Sequence, residues 1–167
     1  MPADLPAVVE LFSAGMLYYA HSGGHSEGVQ KIWVDYVAQS IQDDLANIED
    51  TYFAPGGHFW VATCVEEDGR EVVVGMVGLE AKPDKAYELR RMSVRAEYRR
   101  YGVGRLLVGT LEQWAKDQGL AKVWLSTGGP MVQAQKFYLS IGYTQTKVEV
   151  YSEDPLFEVV FFEKELA

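Results

Sequence analysis

Residues 87–127 constrain the fold more than any other stretch. YELRRMSV (87–94) alternates polar and apolar side chains, the period-two signature of a strand. RRYGVGRLLV (99–108) then carries two glycines into a helix over Gly102 to Gln118. Its apolar positions Val103, Leu106, Leu107, Leu111 and Trp114 are expected to face inward, and Gly119 ends it. AKVWLST (121–127) reads as a second strand parallel to the first, because a helix-length crossover joins parallel strands. That unit calls for a mixed α/β sheet.

The flanks extend the pattern. Asp4 is placed to cap a helix over Leu5 to Tyr19, and the glycine-broken HSGGHSEG (21–28) is a loop. A second helix is expected from Glu27 to Glu49, with apolar positions at 3.6-residue spacing. HFWVATC (58–64) and VVVGMVGLE (72–80) read as strands joined at EEDGR, and KPDK (82–85) is a turn. Met131 to Ser140 is a short helix, and Tyr143 to Tyr151 and Leu156 to Glu165 form a final strand pair around SEDP. The order is ααβββαβαββ, a single mixed-sheet α/β domain over residues 1–167.

Charge adds a functional clue. The chain is acidic, with formal net charge -9, yet six of its seven arginines (Arg90, Arg91, Arg95, Arg99, Arg100, Arg105) fall within sixteen residues. Such a cluster in an acidic chain points to an anion site. The total charge argues against a nucleic-acid binder. The glycines enter a helix whose first turn has free N–H groups and a partial positive charge, and they let a ligand approach the backbone, so the element reads as a pyrophosphate cradle. It is not a P-loop, since no GxxxxGK occurs. Nor is it a full dinucleotide fingerprint, since Leu107 stands at the third glycine position and Ser126 and Thr127 stand where an acidic residue belongs.

What remains is R-x-x-G-x-G, here Arg99-Arg100-Tyr101-Gly102-Val103-Gly104. It resembles the acyl-CoA motif of the GNAT superfamily of N-acetyltransferases. ELRRMSVRAEYRRYGVGRLLV is similar to that family's central strand, turn and helix, and AQKFYLSIGY (134–143) resembles its later segment at Ala134, Phe137, Tyr138, Gly142 and Tyr143. HFWVATC, VVGMVGLE and KDQG resemble the camello-like subgroup. The resemblance implies central strands splayed around acyl-CoA, and acetyl transfer from acetyl-CoA to a primary amine in a ternary complex.

By the same resemblance, cofactor binding falls to Met92, Val94, Arg99, Arg100, Gly102, Val103, Gly104, Arg105 and Tyr138. Glu88 is the implied base, the Val94 N–H the donor to the thioester carbonyl, and Tyr138 the acid for the leaving thiolate. Two departures stand out. The strand that usually precedes the first helix is not evident at PADLP, and Met131 replaces a frequent asparagine.

The remaining expectations are brief. The acceptor is a small-molecule or protein amine, the cosubstrate is acetyl-CoA, and no metal, nucleic acid or membrane is called for. The chain is expected to be a monomer or homodimer. One cysteine, Cys64, and no signal or spanning segment suit the cytoplasm, and Cys64 is read as a buried packing residue. Tyr18, Tyr19 and His21 are candidates to touch the acceptor, and Glu153 and Asp154 would favour a cationic one. The competing class is a non-catalytic CoA-binding sensor of the same fold.

Overall fold

The structure, a computed structural model, describes residues 4–83 and 86–166. Helices α1 (Leu5–Ser22) and α2 (Glu27–Gln42) lead into strands β1 (His58–Val65), β2 (Glu71–Ala81) and β3 (Tyr87–Val94). Helix α3 (Val103–Asp117), strand β4 (Lys122–Gly128), helix α4 (Val132–Ser140) and strands β5 (Thr144–Glu153) and β6 (Leu156–Glu165) complete the expected order. The six strands form one sheet in the order β1-β2-β3-β4-β6-β5. Only β3 and β4 are parallel. Of the turn expected at 82–85, Asp84 and Lys85 lie outside the described residues.

Each face of the sheet carries its own core. On one face, Leu107, Leu111 and Ala115 of α3 and Tyr138 of α4 pack on Val77, Leu79, Leu89 and Leu125. On the other, Val8, Leu11 and Phe12 of α1 and Trp33 and Val37 of α2 pack on Phe59, Met76 and Phe157. At about 25 cal/mol per Å2 of apolar surface removed from water, both layers contribute to holding the sheet.

Four sequence expectations need correction. Helix α2 stops at Gln42 instead of running to Glu49, and a short π-helical turn spans Glu49–Phe53. The break turns Asp44 inward, where it is 1% exposed against Arg91 and Tyr52. A straight helix would have served the apolar period but left Arg91 buried without its carboxylate. Leu106 is 66% exposed on the outer side of α3, so it does not face the core. Asp4 precedes α1 without a side-chain bond to the helix end, whereas Ser26 does cap α2 through the Val29 N–H. Cys64 is half-buried on the edge strand β1, not a core residue.

Candidate functional site

Strand β3 is where the site is built. Gly78 pairs with Arg90 and Met76 with Ser93, so Arg91 and Met92 together oppose the single residue Val77. This is a bulge, and Arg91 occupies it at φ 56°, a left-handed conformation that costs a non-glycine residue energy. In a regular strand Arg90 and Arg91 would point to opposite faces. Here both reach Asp44: Arg91 through its Nε at 2.8 Å from Oδ2 and Nη2 at 2.5 Å from Oδ1, and Arg90 at 3.9 Å. The Arg91 guanidinium also donates to the Tyr36 hydroxyl at 2.8 Å and lies 4.8 Å from the Phe12 ring centre. Burial works to raise the Asp44 carboxyl pKa, but the hydrogen bonds and charge of Arg91 outweigh it and hold the group below its ordinary value.

Beyond the bulge the sheet opens. β3 and β4 meet through one register pair, Glu88 with Trp124. The Arg95 N–H bonds the Val74 carbonyl on β2 at 2.9 Å. Inward and outward groups alternate along an antiparallel pair, so the Val94 N–H and C=O face the other way, toward the gap. The Val94 carbonyl accepts from Arg99 Nε at 3.1 Å, which hangs that arginine at the mouth of the gap. Gly102, at φ 77°, then turns the chain into α3. No side chain caps this helix and no acid sits in its first turn. The first-turn N–H groups and the helix dipole therefore present positive charge beside Arg99, Arg100 and Arg105.

The gap opens into one cavity of about 650 Å3 that passes between the two faces of the sheet. Met92, Val94, Arg99, Arg100, Gly102, Gly104 and Arg105 line one half of it, with Tyr138 from α4. Val103 does not: its side chain packs on β2, where a Cβ added to Gly75 would meet its Cγ1 at 3.0 Å. Glu88 lines the cavity from the α1/α2 face and sits 3.1 Å from Lys82 Nζ and 4.0 Å from Arg90 Nε. Tyr138 is 6% exposed, and burial together with the facing Tyr19 hydroxyl pushes its phenol well above the ordinary value of 10.0. It stays protonated across the physiological range.

The arginine cluster therefore divides. Arg90 pairs with Glu80, Arg91 with Asp44, and Arg95 Nε donates to the Val73 carbonyl at 2.7 Å. Those three are held by protein partners, and of them Arg90 and Arg91 also line the cavity. Arg99, Arg100 and Arg105 are exposed along the cavity mouth. Of the other half of the cavity, only Tyr19 was legible in the sequence. Phe12, Met16 and Tyr19 of α1, Trp33 of α2 and Tyr151 and Phe157 of the last hairpin wall it. Of the three residues singled out in the first loop region, Tyr19 lines the cavity, while Tyr18 and His21 do not. Glu153 and Asp154 also lie outside the lining.

An open parallel pair, a bulged strand and a helix entered through R-x-x-G-x-G are the features of a GNAT fold, and comparison with known proteins decides the matter. The family model for the acetyltransferase (GNAT) family matches residues 26–143. This chain belongs to the GNAT family. N-acetyltransferase 8 of Homo sapiens is 36% identical over 123 residues, spanning 70% of this chain and 52% of that protein. N-acetyltransferase 8F1 of Rattus norvegicus is 36% identical over 118 residues, 68% of this chain and 52% of that protein. The chain thus spans about half the length of the curated relatives it matches, which are the camello-like proteins its middle resembles.

Solved GNAT structures share the fold over all or most of this chain. A GNAT acetyltransferase from Staphylococcus aureus Mu50 superposes with TM-score 0.75 at 20% identity, covering 100% of this chain and 96% of that one. A Bacillus anthracis protein described as a streptothricin acetyltransferase, solved in complex with acetyl coenzyme A, gives TM-score 0.58 at 20% identity over 65% of this chain and 62% of its own. Among the described residues no cluster of three or more His, Cys, Asp or Glu is placed to hold a metal, and no helix is long and apolar enough to cross a membrane.

Proposed function

We propose that the chain moves an acetyl group from acetyl-CoA to a primary amine by direct attack in a ternary complex. The observation that carries this is the single-pair contact of β3 with β4, which leaves the Val94 N–H and C=O facing an open gap beside an uncapped helix start. An amide-bearing pantetheine arm fits that edge as an added strand. The pyrophosphate fits the first turn of α3, with Arg99, Arg100 and Arg105 around it.

The acceptor comes from the opposite face. An alkyl ammonium of pKa ~10.4 must lose a proton at a cost of roughly 4.6 kcal/mol at pH 7, so a base helps. Glu88 lies on the acceptor face of β3 and takes that proton. The amine lone pair attacks the thioester carbon, and the Val94 N–H is oriented to donate to the carbonyl oxygen as it gains charge. The C–N bond forms and the C–S bond breaks. Tyr138, held protonated, donates to the departing thiolate and is reprotonated as the new amide nitrogen sheds its remaining extra proton through solvent.

Retention of Glu88 and Tyr138 on opposite sides of one opening favours the enzyme over a CoA sensor of the same fold. Titration calorimetry of acetyl-CoA into wild type and Gly104→Glu tests the reading. A Cβ at Gly104 already meets Met92 Cε at 3.1 Å and Phe137 Cζ at 3.3 Å, and the carboxylate beyond it would stand against the incoming phosphates. Micromolar binding by wild type that is lost in a variant still folded by circular dichroism supports the site. Absence of binding to wild type rejects it.

A further inference from the structure

We propose that the acceptor is a primary amine carrying an aromatic ring, and that it stacks in a slot whose floor is Trp33. This rests on the acetyl-transfer reading above and names the substrate class of that site.

The slot is on the α1/α2 face of the sheet. Tyr19 and Trp33 stack with ring centres 6.0 Å apart and planes 28° apart. Phe157 meets Trp33 edge-on at 5.2 Å, and Tyr151 meets Phe157 edge-on at 6.1 Å. Rings set this way offer both faces and edges to a further ring. Gly128, at the end of β4, makes room for the indole. A Cβ there would meet Trp33 Cη2 at 2.8 Å. The tip of the β5–β6 hairpin closes the outer end, with Pro155 packed so closely on α2 that a Cβ at Gly28 would lie 2.9 Å from it.

Two further observations bear on the ligand. Trp33 is 3% exposed and lines the cavity, yet its indole N–H has no hydrogen-bond partner. A buried donor left unpaired is costly. Charge supplies the negative argument. Glu88 is the sole carboxylate among the lining residues, and it already faces Lys82 and Arg90. Arg90 and Arg91 are matched by Glu80 and Asp44. A polyamine or a multiply charged aminoglycoside would bring several cations to a lining that, among the described residues, holds Arg90, Arg91, Arg99, Arg100 and Arg105 against the one carboxylate Glu88. A monoamine with an aromatic group brings what the wall can bury, since one such ring removes a large apolar area from water.

The test uses amines of similar basicity: 2-phenylethylamine, ethylamine and spermidine. Each is titrated by calorimetry into the full chain saturated with CoA, and each is assayed for acetylation with acetyl-CoA. The expected result is a Kd for 2-phenylethylamine at least about 30-fold below that of ethylamine or spermidine, with kcat/KM in the same order. Tyr151→Ala, at a position 69% exposed and so removable without disturbing the core, should weaken 2-phenylethylamine several-fold and leave ethylamine and the acetyl-CoA Kd unchanged.

Binding or turnover of ethylamine or spermidine equal to that of 2-phenylethylamine overturns the aromatic acceptor and leaves acetyl transfer standing. Insensitivity of 2-phenylethylamine to Tyr151→Ala in folded protein does the same. Failure of acetyl-CoA itself to bind overturns the transferase reading instead.

Discussion

The two halves of the central cavity are built from the same strand and treat arginine in opposite ways. On the α3 side, Arg99, Arg100 and Arg105 are exposed around a helix start. On the α1/α2 side, Arg90 is matched by Glu80 and Arg91 by Asp44, and the Arg91 guanidinium lies over the Phe12 and Tyr36 rings. The bulge at Arg91 makes the difference, because it sends two successive side chains to one face. One half is left with positive charge to offer an anion, and the other with a neutral, ring-lined wall. Clustering of a residue type along the chain therefore says little about shared purpose.

The largest expected effect breaks the buried side. Asp44→Ala leaves the Arg91 cation, 7% exposed, without its carboxylate. Loss of one partner of a buried pair costs about 3–5 kcal/mol, equivalent to a fall in Tm of roughly 10 °C for a domain this size. Arg100→Ala on the exposed side should barely move Tm. Equal effects in thermal melts would end the distinction between the two sides. Acid sharpens it. The folded-state pKa of Asp44 is depressed, so its contribution is present above the ordinary value of 3.8 and is lost as pH falls through the lower folded value. Asp44→Asn should remove that acid-side loss, to be read from urea midpoints between pH 5 and 2.

Next in size is chemistry on the α3 side. Tyr138→Phe should lower kcat about 100-fold with the acetyl-CoA Kd unchanged, the scale of a general acid. Because burial and Tyr19 raise the phenol above 10.0, the donor form persists through neutral pH, and the alkaline limb it controls lies above pH 10. A kcat unchanged in Tyr138→Phe would return the residue to the core, where it touches Tyr143 and Phe162.

How much of this was legible in the sequence follows from how local each signal is. The bounds of β3 and the order ααβββαβαββ were readable, because period-two and 3.6 patterns and glycine stops are local. That Arg99, Arg100, Gly102, Gly104 and Arg105 would share one surface was readable because they sit within a few positions of one another, and all five line the cavity. Even there Val103, inside the motif, turns its side chain to Gly75. The end of α2 was misread, because Leu45 and Ile48 keep helical spacing while the reason for the break, Arg91, lies 47 residues beyond Asp44. The aromatic slot was hidden for the same reason. Tyr19 alone was singled out, while Trp33 and Phe157 come from two other elements and look like ordinary core positions in each.

A smaller effect is expected at Glu88. Glu88→Gln should reduce kcat/KM about 10-fold at pH 7, the low end for a general base, and the deficit should shrink as pH approaches the amine's own pKa of ~10.4. The sign follows from the proton: once solvent deprotonates the amine, nothing is left for Glu88 to accept. A deficit constant with pH would mean that Glu88 acts by holding Lys82 and Arg90.

The smallest effect tests the exposed arginines themselves. Arg100 is exposed and would meet a phosphate in a high-dielectric setting, where a single ion pair is worth about 0.2–1 kcal/mol. Arg100→Gln should therefore weaken acetyl-CoA only about 2–5-fold at low salt. At 1 M salt the screening length falls to ~3 Å, and the variant should converge on wild type. Arg99→Gln should lose more and converge less, because Arg99 is also anchored on the Val94 carbonyl, and removing it unties the strand edge proposed for the pantetheine. If both variants lose affinity equally and independently of salt, the mouth of the cavity holds its ligand by shape, and the contrast with the neutralised side would rest on the aromatic slot alone.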